Sequence, residues 1–151
     1  MRSICVVVFS LICISLFSQR DAYYDVLKSG NKKQLLLALD NIPNIGSTNL
    51  KKAFSGALYC KLASFESNVI DKIKDFKKGA ELLEAAIANE PTNIELRFLR
   101  LIIQENAPPI LRYNTNIDHD CLLIKNSFTK QTAELKPIIT DYAKSSRKLI
   151  L

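Results

Sequence analysis

The segment Phe76–Gln104, FKKGAELLEAAIANEPTNIELRFLRLIIQ, constrains the fold more than any other stretch, because it reads as two amphipathic helices joined by a proline-containing turn. At 3.6 residues per turn, Val69, Ile73, Phe76, Ala80, Leu83 and Ile87 fall in one apolar stripe, so the first helix has one dry face. Pro91 disfavours helical backbone at Glu90 and leaves Thr92 or Asn93 to cap a second helix. In that helix Ile94, Phe98, Leu101 and Ile102 point one way, and Leu96, Leu99 and Ile103 point well away from them. Only a narrow strip of Arg97, Arg100 and Gln104 stays polar. A helix apolar on two sides is sandwiched between others, which puts this one at the centre of the domain.

The N-terminus reads as a targeting segment. Arg2 supplies a positive charge, Ile4 to Phe17 form an apolar run, and the polar Gln19-Arg20-Asp21 follow, the pattern of a secretory signal peptide over residues 1–18. The run is short for a bilayer span, and an uncleaved membrane anchor is the alternative. Either reading places the rest of the chain outside the cytoplasm, as an exported, periplasmic or secreted protein. Removing residues 1–18 from the 151-residue chain leaves 133, enough for a single domain with one core. The net charge of +6 is a mild excess that does not by itself imply nucleic acid, and acidic envelope polymers or lipid headgroups remain candidate partners.

Residues 21–29 and 31–42 read as a first helical hairpin, with Gly30 free to take a left-handed conformation at the end of one helix and Asn31 to start the next. Pro43-Asn44-Ile45-Gly46 is turn chemistry, after which Ser47 or Thr48 caps a helix carrying Leu50, Phe54, Leu58, Leu62 and Phe65. The small residues Ser55, Gly56 and Ala57 in its middle allow another helix to approach closely. Pro108-Pro109 cannot continue a helix, and a packed loop with Ile110, Leu111 and Tyr113 tucked inward is expected there. Asn116 is placed to cap a helix over 117–128, with Asp118 and Asp120 complementing its dipole. A last helix carries Leu135, Ile138, Ile139 and Tyr142, starting near Thr132 or just before Pro137. The expected result is one all-α domain over 19–151, made of stacked antiparallel helical hairpins, with its core at 47–130 and a frayed tail at 144–151.

Chemistry is sparse. The lysines Lys72, Lys74, Lys77 and Lys78 interleave with Asp71, Asp75 and Glu81, so pairwise neutralisation on a solvated face is the simpler reading and a polyanion-binding face the sharper one. His119, the only histidine, lies in Asp118-His119-Asp120-Cys121, but successive helical residues point in different directions and cannot converge on one metal. The four glycines are isolated, so no phosphate-cradling loop is present, and no cofactor is implied. Cys60 and Cys121 are either a disulfide, closing a loop of about sixty residues, or two buried free thiols. Arg97 and Arg100, on an otherwise apolar helix, need acceptors. A structural ion pair inside the fold is one solution. A groove for an anionic ligand or a partner's C-terminus, with Tyr113 and Lys77 as further contacts, is the other.

Residues Phe76–Asn93 resemble the second helix and turn of a tetratricopeptide repeat, with Gly79, Leu83, Ala86 and Pro91 at the matching positions. Ala63, Glu66 and Ser67 stand where that family's first helix has a large aromatic, a leucine and a glycine, and no second copy recurs at the period of about 34 residues. The longer run from Gly79 to Asp120 resembles small, uncharacterised signal-peptide-bearing proteins of Bacteroidetes. That resemblance implies export and a helical fold and carries no activity. The reading is therefore a non-catalytic interaction or scaffold module of the cell envelope with a protein partner. A small-ligand or lipid carrier with an apolar cavity beside the Phe98 helix is the alternative, and a hydrolase centred on His119 the weakest. An interaction groove requires exposed Arg97 and Arg100, a carrier a cavity with a narrow mouth, and an enzyme His119 in a cleft.

Overall fold

A computed structural model describes residues 20–42 and 46–151, which form α-helices with no β-strand among them. The expected signal peptide, residues 1–18, lies outside the described residues, as do turn residues 43–45. Helix α1 covers residues 20–29 and α2 covers Lys32–Asn41; α3 is Thr48–Leu62 and α4 is Val69–Asn89. Helix α5 is Ile94–Asn106, α6 is Ile117–Ser127 and α7 is Leu135–Ala143. Short 3-10 turns at Ala63–Phe65, Pro109–Leu111 and Phe128–Lys130 follow α3, α5 and α6.

The starts of these helices follow local chemistry. Asn31 and Gln34 form a reciprocal capping box at α2, each side chain accepting from the other's backbone N–H at 3.0 and 2.9 Å. Ser47 caps α3, Asn68 caps α4 and Asn93 caps α5, each accepting from a first-turn amide. Asn116 departs from the pattern: its carbonyl accepts from the Asp120 amide, but its side chain makes no capping bond. Gly30 ends α1 without a left-handed backbone; it is required because a β-carbon there would come 2.5 Å from the Val26 carbonyl oxygen. Gly46, at φ +40°, does take the left-handed conformation.

Helices α3 and α4 form an antiparallel hairpin. Asn49 near the start of α3 bonds Glu90 and Asn89 at the end of α4, whereas Cys60 near the end of α3 donates to the Phe76 carbonyl. Between these contacts the two backbones meet at paired glycines. A β-carbon on Gly56 would lie 2.6 Å from the Gly79 carbonyl oxygen, and one on Gly79 would lie 2.5 Å from that of Gly56. The close approach expected of the small residues in α3 thus occurs, and α4 supplies a matching glycine.

Helix α5 occupies the centre. Leu96, Phe98, Leu99 and Leu101 are fully buried, and its polar residues Arg100 and Gln104 are buried as well. The core is wider than residues 47–130, since Tyr23, Tyr24 and Leu27 of α1, Leu35 of α2, and Leu135 and Ile139 of α7 all belong to it. Tyr24 packs edge-on against Phe54 at 5.2 Å and tilts against Phe98 at 5.7 Å, joining α1 to α3 and α5.

Three expectations about the surface are corrected. Val69 and Ile73, at the head of the dry stripe of α4, are exposed, because α4 has 21 residues against 15 in α3 and its first turns run past the end of its neighbour. Ile110 projects into solvent, while Leu111 and Tyr113 pack inward, Tyr113 edge-on to Phe76 at 5.6 Å. The tail is pinned rather than frayed: Glu105 accepts from the Ser146 hydroxyl at 2.7 Å and the Arg147 amide at 3.1 Å, and Leu149 is buried.

Candidate functional site

Arg97, Arg100 and Tyr113, the residues singled out in the sequence, do come together, around two carboxylates of the protein itself. The Arg100 guanidinium donates from Nε and Nη2 to both oxygens of Asp120, at 2.7 and 2.8 Å, and from Nη1 to Glu84 at 2.7 Å. Tyr113 donates its hydroxyl to the other Glu84 oxygen at 2.6 Å. Arg97 clasps the Pro91 carbonyl with two nitrogens, at 3.0 and 2.8 Å, and reaches Asp120 at 3.4 Å. Asp120 is completely buried and Arg100 nearly so, a placement tolerable only because each charge is paired and bonded.

Each member arrives for a local reason. Arg97 and Arg100 are three residues apart and share one face of α5, while Asp120 enters from the first turn of α6. Glu84 comes from the C-terminal half of α4, and Tyr113 from the loop that the prolines force between α5 and α6. Burial pulls the Arg100 pKa down, but the Asp120 bonds and the Asp120 and Glu84 charges outweigh it and hold it above its ordinary value. Burial, followed by the bond to Glu84, pushes the Tyr113 hydroxyl well up, so it stays a donor. This is the internal ion pair, and the exposure that a groove at Arg97 and Arg100 requires is absent. Lys77 stands apart, exposed on α4. Gln104, last in the polar strip of α5, is buried with no hydrogen-bond partner for either amide atom among the described residues.

A cleft lies on the opposite side of α5, between α1 and α7. It has a volume of about 520 Å³, within the range of small-ligand sites, and is partly open to solvent rather than narrow-mouthed. Its floor is apolar: Tyr24 and Leu27 from α1, Phe98 and Ile102 from α5, Ile138 and Tyr142 from α7. Tyr142 is held edge-on to Phe98 at 5.4 Å and donates its hydroxyl to Glu105 at 2.6 Å. At the rim Lys28 bonds Asp141 at 2.8 Å, joining α1 to α7. Behind α1, Glu95 is buried 3.0 Å from Arg20, which also pairs with Glu134, and Tyr24 donates to Glu95 at 3.3 Å. The residues of this cleft other than Phe98 were missed in the sequence. Their only signal was the second apolar face of α5, which demanded cover without naming it.

The remaining reactive groups are dispersed. His119 is exposed, with Nδ1 3.9 Å from an Asp120 oxygen that Arg100 already holds. Cys60 and Cys121 are free thiols and form no bridge: Cys60 is turned into the α3–α4 contact, 3.6 Å from the Phe76 carbonyl, while Cys121 lies on α6. Burial, then the Glu84 charge, pushes the Cys60 thiol up; burial, then the Glu105 charge, raises Cys121 to about 11, so neither is a thiolate at neutral pH. Among the described residues no group of three or more His, Cys, Asp and Glu side chains is placed to hold a metal. No protein-family model, curated protein or solved structure matches this chain.

Proposed function

We propose that the protein is a non-catalytic interaction module, exported to the cell envelope, that takes an apolar segment of a protein partner into the cleft between α1, α5 and α7. The cleft carries this reading: it combines an aromatic and aliphatic floor with a charged rim, the distribution of an interface that anchors a few large side chains. Its partial openness suits a segment of a larger partner better than an enclosed ligand. The α3–α4 hairpin, with its glycine contact and the Pro91 turn, supports a tetratricopeptide-like scaffold in the middle of the domain, and the leader-like composition of residues 1–18 supports export. Arg97, Arg100 and Tyr113 brace the scaffold in this reading rather than touching the partner.

A carrier of a small apolar molecule is the second reading, favoured by the cleft's volume and its position beside Phe98. Affinity capture from an envelope extract separates the two when wild type is run beside Ile138→Glu, which places a charge on a half-buried wall of the cleft. A protein retained by wild type and lost by a folded Ile138→Glu variant is the expected result. Lipid or another small molecule released by the variant would move the assignment to the carrier, and identical eluates would remove the cleft from consideration.

A further inference from the structure

We propose that the exposed face of the N-terminal half of α4 docks the protein onto an anionic lipid bilayer. Ile70 is 74 % exposed, Val69 67 %, Ile73 42 %, and Phe65, in the preceding 3-10 turn, 40 %. On a helix advancing roughly 100° per residue, Val69, Ile73, Lys77, Ile70 and Lys74 follow one another within an arc of about 140°, while Asp71 and Asp75 lie outside it. Over the first turns of α4 the arc therefore mixes aliphatic side chains with cations and leaves out Asp71 and Asp75, while Glu81 enters it only one turn beyond Lys77.

The neutralisation expected of this helix does not occur. Among the described residues no lysine of α4 lies within ion-pair distance of Asp71, Asp75 or Glu81, and Lys78 sits over the Tyr59 ring at 3.8 Å instead. Lys74 and Lys77 are exposed beside apolar neighbours. The charge selects the occupant. Lysine is depleted from protein–protein interfaces but suits a bilayer boundary, where aliphatic side chains enter the acyl region and long basic side chains reach back to headgroup phosphates. No described helix is long and apolar enough to cross a membrane, so the contact is a surface one. It is separate from the cleft and independent of what the cleft binds.

The absence of tryptophan makes the test direct. In the full-length chain, Ile70→Trp supplies a single reporter on the arc, and Leu122→Trp a control on exposed α6. With vesicles of phosphatidylglycerol in phosphatidylcholine, the emission of Ile70→Trp should shift to the blue while that of Leu122→Trp does not, and phosphatidylcholine alone should shift neither. Lys74→Gln with Lys77→Gln in the same background should weaken partitioning about five-fold per lysine. No shift at position 70 would overturn the proposal, as would equal shifts at both positions, equal shifts on neutral vesicles, or a shift that grows with protein concentration in the absence of lipid. If Ile70→Trp does not fold, Val69→Trp gives the same reading.

Discussion

In the C-terminal half of α4, Glu84 receives Arg100 and Tyr113, and beyond it every guanidinium nitrogen of Arg100 finds a carboxylate oxygen. In the N-terminal half, Lys74 and Lys77 stand in solvent beside exposed Ile70 and Ile73, on a helix whose alternating charges promised mutual pairing. Both halves belong to the same helix and differ in what lies over them. The C-terminal half faces α5 and the 107–113 loop, so Glu84, itself still part-exposed, meets a buried Arg100 that must be paired; the first turns of the N-terminal half have no such neighbour over Lys74 and Lys77, which remain hydrated and unconstrained. The suspicion that charge on these helices marks a binding surface therefore fails where the charge is buried and retains force where it is exposed.

The largest effect should come from breaking the buried side. Asp120→Ala leaves Arg100 enclosed with only Glu84 as counter-ion, and denaturant unfolding should show a loss of about 3–5 kcal/mol. Gly79 lies between the two halves, and Gly79→Ala would force a β-carbon to within 2.5 Å of the Gly56 carbonyl, where neither backbone can yield easily. A loss of about 1–3 kcal/mol is expected, measured the same way. If Gly79→Ala were neutral, the backbone contact would not be what sets the placement of α4.

Glu95 sharpens the contrast, as a carboxylate less fully compensated than Asp120. Burial, only partly offset by the Arg20 charge and the Tyr24 bond, raises its folded pKa above the ordinary value of 4.5. Its contribution to stability is thus complete below that value and is lost as pH rises through the raised folded pKa. Glu95→Gln should accordingly flatten the decline in stability above about pH 4.5, read from thermal midpoints across a pH series. An unchanged pH profile would show that Arg20 compensates Glu95 fully. The smallest effect belongs to the exposed half: Lys74→Gln with Lys77→Gln should leave the unfolding curve unchanged while lowering affinity for anionic vesicles. A loss of stability in that variant would show that these lysines are structural after all.

Much of the fold was legible because it depends on neighbours in sequence. Asn31, Ser47 and Asn93 start their helices through bonds spanning two or three residues, and the double apolar face of α5 announces a central helix. The candidate sites were less legible. Arg97 and Arg100 advertised a need for acceptors, but Asp120, twenty residues beyond Arg100, read as a helix-dipole residue, and no pattern within α4 tied Glu84 to Arg100. The cleft draws its walls from α1, α5 and α7, and no periodicity within one helix reports which others will stand beside it.

The amino-acid sequence by itself determined the helices, the caps at Asn31, Ser47 and Asn93, the turn at Pro91 and the close approach that Gly56 allows, since these follow from backbone sterics and hydrogen bonds over a few residues. Only the tertiary structure decided that Val69 and Ile73 lie outside the core, that the tail folds back on Glu105, and that Arg100 is spent internally. Burial and pairing depend on where neighbouring helices end, and that position is set by the packing of the whole chain.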